Sequence, residues 1–175
     1  GPNPDQTYPN VILDAMASLP TPPKTIVILT SKFPSAQFMA QGMREQSEKR
    51  GVKVVLYLEY ESGNRDFGAI AARVKEANAD FLWVGSLGLE SNQVLEALRK
   101  LDYTPKNSFH LYPAPGPLAL SPDGKNALCS TFLEPAEPFM SRPGVARQAA
   151  AYKERATKAN LPYAIIDAQA AGMIS

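Results

Sequence analysis

The chain has 175 residues, 45% hydrophobic and 20% charged, which suits one compact domain with a sizeable core and is short for two. Its 18 basic and 17 acidic residues leave a net charge of +1, so it has neither the electrostatic footprint of a nucleic-acid binder nor a polybasic membrane patch. The single cysteine, Cys129, excludes an internal disulfide and a multi-cysteine metal site, and no apolar run has the length of a membrane span.

The elements follow one another in a regular alternation. Tyr8–Leu19 carries Val11, Ile12, Ala15, Met16 and Leu19 in a helical stripe, with Pro9 expected at its start. Thr25–Thr30 is a short β-branched run, apolar at its centre, which reads as a strand buried on both faces. Ser35–Arg50 puts Ala36, Met39, Ala40 and Met43 on one side of a helix that Gly51 closes. Val52–Leu58 is a second strand. Asp66 is expected to cap a helix that buries Phe67, Ile70, Ala71 and Val74. Phe81–Val84 is a third strand, and Val94, Leu95, Leu98 and Leu101 mark the next helix. Ser108–Tyr112 and Ala127–Leu133 are weaker strands. Val145, Ala149, Tyr152 and Ala156 line a further helix, and Pro162–Met173 is expected to form the last.

Strands alternating with amphipathic helices predict the fold class: α/β, a doubly wound, mostly parallel sheet with helices on both faces, in a single Rossmann-like unit. In such sheets ligands bind beyond the carboxyl ends of the strands, near a topological switch point. That rule nominates the loops Ser31–Ser35, Glu59–Asp66, Gly85–Ser91, Tyr112–Pro117 and Glu134–Pro138.

Catalytic motifs are weak. Gly85-Ser86-Leu87-Gly88-Leu89-Glu90-Ser91 follows a strand and enters a helix, but Ser91 stands where a dinucleotide fingerprint has its third glycine. A tight turn accounts for both glycines. Val84 replaces the first glycine of a nucleophile elbow, so Ser86 is not read as a nucleophile. His110, the only histidine, lies inside a strand and reads as a partly buried or edge residue, and Cys129 as a small core residue. Glu59 and Glu61 read as solvated loop charges beside the capping Asp66. No metal, no cofactor and no catalysis are expected. The loops instead combine apolar Phe33, Leu87 and Tyr112 with hydroxyls of Ser31, Ser35 and Ser86, a mixture suited to a small-molecule pocket. Trp83 reads as core.

Several short segments, in order, resemble the second lobe of type I periplasmic solute-binding proteins, in the branched-chain amino-acid and amide receptor branch of ABC importers. Lys24–Leu29 resembles the lobe's opening strand. Phe33-Pro34 falls where that family has Tyr-Gly, and Gly51–Val55 resembles the strand after a closing glycine. Asp66-Phe67, Asp80–Gly85, Ala150–Lys153 and Tyr163–Ala171 match later segments. The resemblance implies half of a clamp that closes on a small-molecule solute and delivers it to a membrane permease, in a periplasmic or other extracytoplasmic location. It implies Phe33 as an aromatic ligand contact and places Leu87 and Gly88 where the receptors carry another. Ala114 falls where they carry the acid that holds the ligand's amino group; Glu90 or Glu134 would be the neighbouring acids able to replace it. Pro34 for Gly departs from the family's loop, and Ala114 from its ammonium site.

The resemblance further implies a first lobe missing from residues 1–175, toward which 160–175 would return. The opening Gly1-Pro2 reads as a protease scar on an excised segment. The exposed lobe interface would then be open to self-association. Two other functions stay open on sequence grounds: a ligand-sensing domain of a regulator or receptor kinase, and a flavodoxin-like nucleotide-binding or enzymatic domain.

Overall fold

A computed structural model describes residues 3–113, 115–130 and 141–160. The predicted alternation is realised as α1 (Pro4–Ala17), β1 (Thr25–Ser31), α2 (Pro34–Lys49), β2 (Lys53–Tyr60), α3 (Gly68–Ala77), β3 (Phe81–Gly88), α4 (Glu90–Arg99), β4 (Ser108–Pro113), α5 (Pro115–Leu120), β5 (Ala127–Cys129) and α6 (Val145–Lys158), with a 3-10 turn at Pro122–Gly124. The expected helix at Pro162–Met173 and the end of the strand expected at Ala127–Leu133 lie outside the described residues.

The sheet has the order β2-β1-β3-β4-β5, and every adjacent pair is parallel. The chain moves from β1 outward to β2, then back across β1 to β3 and on to β4. Right-handed crossovers in opposite directions place their helices on opposite faces. Thus Ile26 and Ile28 of β1 pack with Met39, Ala40 and Met43 of α2 and with Ile12, Leu13 and Met16 of α1. Val27 and Leu29 turn the other way, onto Ala71 and Val74 of α3 and Val94 and Leu98 of α4. This is the doubly wound arrangement expected, with the switch point between β1 and β3. Trp83, His110 and Phe81 are buried within it.

Three local readings are corrected. Pro9 is inside α1, five residues after the true N-terminal proline, Pro4; Pro4 occupies a first-turn position where a missing N–H costs nothing. The segment Gly85–Gly88 is not a tight turn throughout, since β3 runs to Gly88. Only Gly88 has the left-handed backbone of a turn glycine, φ +54°. At Gly85 a Cβ would lie 2.7 Å from Thr30 Oγ1 and 2.9 Å from the Trp83 ring, so this glycine serves packing. His110 is neither partly buried nor at an edge: it is fully buried in β4 between β3 and β5. Its Nε2 lies 3.0 Å from Ser108 Oγ, and burial lowers its pKa to about 4, which keeps the ring neutral.

Candidate functional site

The carboxyl ends of β1, β3 and β4 are neighbours in the sheet, and most of the nominated residues project from them. Ser31 ends β1, fully buried, with its hydroxyl 2.9 Å from Ser62 Oγ. The next amide, of Lys32, donates to the Tyr60 carbonyl at 2.8 Å. Phe33 follows in extended conformation at the N-cap of α2, 41% exposed. Pro34 takes the first helical position, which fixes the helix start without requiring an N–H. Ser35 is half-buried in the first turn.

From β3, Ser86 is buried with its hydroxyl between the Leu111 carbonyl, 3.1 Å away, and the Ser91 hydroxyl. Leu87 is half-buried, Gly88 exposed, and Gly88 pairs with Pro113 across the sheet. Tyr112 is half-buried against the α1–α2 side of the core. Its φ of +51° is rare for a bulky residue and marks local strain immediately before a proline. Ala114 and Glu134 lie outside the described residues.

The acidic groups near this edge are already engaged. Glu61 pairs with Lys32, and that bond raises the lysine's pKa. Glu59 belongs to β2 rather than to the loop after it, because β2 extends to Tyr60; it accepts from Gln37 at 3.2 Å. Asp66 is not the N-cap expected of it: α3 begins at Gly68 with Phe67 at its N-cap, and Asp66, one residue earlier, accepts the Gly68 amide on Oδ1 at 3.0 Å.

Glu90, expected only as a substitute acid, is bonded to Tyr60, which carries no signal of its own in the sequence. Glu90 is buried. Its Oε2 accepts from Tyr60 Oη and from the Leu87 amide, each at 2.9 Å, and its Oε1 accepts from the Gly63 amide at 3.0 Å. Burial, then the Glu90 charge and hydrogen bond, push the Tyr60 phenol far above the usual range. The Tyr60 ring meets Phe67 edge-on at 5.0 Å between centroids. The only sequence signal for this cluster was a Glu in the first turn of a helix.

The described surface also has concavities elsewhere. One of about 530 Å³ lies by the amino ends of the strands, lined by Lys24, Asp80 and Lys106 among others. There the Asp80 carboxylate accepts the Lys24 and Thr25 amides and the Lys106 ammonium; these bonds, the Lys24 amide's first, hold its pKa below the usual range. Another, about 320 Å³, runs between the start of α3 and α4. Among the described residues no three His, Cys, Asp or Glu side chains gather as a metal set, and no helix is long and apolar enough to cross a membrane.

Comparison with known proteins places this architecture. The chain is 31% identical over 77 residues to a Leu/Ile/Val/Thr-binding protein of Salmonella typhimurium, a match covering 44% of this chain and 21% of that protein. It superposes on an extracellular ligand-binding receptor from Rhodopseudomonas palustris with a TM-score of 0.77 at 15% identity, over 97% of this chain and 47% of that one. For a fatty acid ABC transporter substrate-binding protein from Thermomonospora curvata the TM-score is 0.70 at 16% identity, over 88% of this chain and 40% of that one. The chain therefore spans less than half the length of these solved relatives, and its match to the Salmonella protein about a fifth of that protein. The sequence model of the family described as periplasmic binding protein matches residues 1–175, so the chain belongs to the periplasmic binding protein family.

Proposed function

We propose that this chain is one lobe of the solute-binding protein of an ABC importer, and that the carboxyl edge of its sheet forms half of a cleft for a small molecule. In this reading the cleft closes against a second lobe, the loaded protein docks on a membrane permease, and the site is extracytoplasmic. The lobe binds and does not catalyse. The observation that carries the reading is the juxtaposition of Phe33, Leu87–Gly88 and Tyr112 on three adjacent strand ends beside the switch point, in a chain matched throughout by a binding-protein family. The ABC-transporter relatives weigh toward transport over a sensory or nucleotide-binding role.

The same edge points to the class of solute. Its described carboxylates are bonded to Lys32, Gln37, the Gly68 amide and the Glu90 donors. Burying a ligand ammonium without an acceptor costs several kcal/mol. An uncharged, anionic or aromatic body therefore suits this lobe better than an α-ammonium group. Glu134, in the loop nominated after the last strand, is an acid that could take that role.

A thermal-shift screen of the full-length protein against amino acids, aliphatic amides, fatty acids and aromatic acids tests the reading. A stabilising solute is expected, with much weaker calorimetric binding to the 175-residue chain alone, since half the enclosing surface is then absent. Each 1.4 kcal/mol of lost contact is about tenfold in affinity. Submicromolar binding by the isolated chain would overturn the half-cleft reading.

A further inference from the structure

The carboxylate of Glu90 takes three donors from three separate places. Tyr60 ends β2, Gly63 lies in the loop after it, and Leu87 is one of the last residues of β3. All three donors are neutral. A buried carboxylate persists only with its lone pairs satisfied, and bonds to a charged acceptor are stronger than neutral ones. Leu87 is followed by Gly88, which sits beside Pro113 at the end of β4. One side chain thus ties the β2–α3 loop to the β3–α4 loop and, through the sheet, to the strand end that carries Tyr112.

We propose that Glu90 is the positioning residue of the solute cleft, holding the Gly63 loop and the Leu87–Gly88 segment together as one rigid rim. This rests on the carboxyl edge being the solute-facing edge. Glu90 then acts through the backbone it orients, its buried carboxylate being held by three donors of the protein itself.

The chemistry dictates the test. Glu90→Gln keeps the shape, yet whichever way the amide is turned its NH2 faces one of the two loop amides, and that N–H loses its acceptor. Glu90→Asp keeps the charge and shortens the arm by one methylene, so it cannot span both loops. Amide hydrogen exchange on the 175-residue chain reads both variants. In the Gln variant the Gly63 or Leu87 amide is expected to exchange about tenfold faster or more, while Ile28 and Val84 in the central strands keep their rates. If the Gln variant does not fold, the Asp variant is expected to give the same local pattern. Wild-type protection at both loop amides in a folded variant would overturn the proposal. So would a uniform rise through the sheet, or failure of both variants to fold, since either makes Glu90 a residue of global stability. Exchange is read without solute, so a failed solute screen counts against the binding reading alone.

Discussion

Gly42→Ala sets two effects of opposite sign against each other. Replacing glycine by alanine inside a helix ordinarily stabilises by about 1 kcal/mol. Gly42 sits in α2 where α1 crosses it, and a Cβ there would lie 2.1 Å from the Asp5 carbonyl oxygen, 2.9 Å from its carbon and 3.1 Å from the Asp5 Cα. All three are backbone atoms, so no rotamer change relieves the overlap. The contact traces to the proline inside α1: Pro9 has no N–H, so the Asp5 carbonyl four residues earlier lacks its helical donor. Restoring ordinary contact requires α1 to move on the order of 1 Å, which loosens Ile12, Leu13 and Met16 from the sheet. Overpacking of this kind costs about 1–3 kcal/mol. Because the 2.1 Å overlap is with backbone, the cost belongs at the upper end of that range and the clash should win, with a net loss of up to about 2 kcal/mol and faster amide exchange confined to α1 and its contacts. Urea unfolding followed by the fluorescence of Trp83 measures the first, and the slope of the transition should not change. An alanine variant as stable as the parent, or more so, would refute the reasoning.

His110 gives a pH dependence of known sign. Its folded pKa, about 4, lies below the ordinary 6.5, so the unfolded chain takes up the proton first; stability is complete above pH 6.5 and falls by roughly 3 kcal/mol as pH drops toward 4. Urea midpoints across that range should show the slope, and His110→Gln should flatten it; an unchanged slope would place the proton elsewhere. Ser86→Ala strands the Leu111 carbonyl and the Ser91 hydroxyl and should cost about 1–2 kcal/mol in the same assay, whereas no loss would mean the hydroxyl is not a structural latch. Asp66→Ala removes the acceptor of the Gly68 amide and should cost about 1 kcal/mol, with fraying at the start of α3 visible in exchange; intact protection there would contradict the bond.

The sheet was legible in the sequence because its central strands are buried on both faces, so Thr25-Ile26-Val27-Ile28-Leu29 and Phe81-Leu82-Trp83-Val84 read as continuous apolar runs. The extension of β3 to Gly88 was not legible: Gly85 and Gly88 look alike in sequence, yet one makes room for Trp83 and Thr30 while the other adopts a positive φ. Pro9 resembles a helix start because interior prolines are costly; here the freed Asp5 carbonyl faces a glycine on α2 instead. Phe33 and Tyr112 could be nominated from their places after strands. The Glu90 cluster could not, since Tyr60 and Glu90 are 30 residues apart and meet only once β1 lies between β2 and β3.

A crystal structure of the full-length protein with its solute bound tests the central claim most directly. The account predicts a solute enclosed against Phe33, Leu87–Gly88 and Tyr112, with no ammonium group held by Glu90. A solute seated at the amino ends of the strands, among Lys24, Asp80 and Lys106, or one whose ammonium group displaces the Gly63 and Leu87 amides from Glu90, would contradict it.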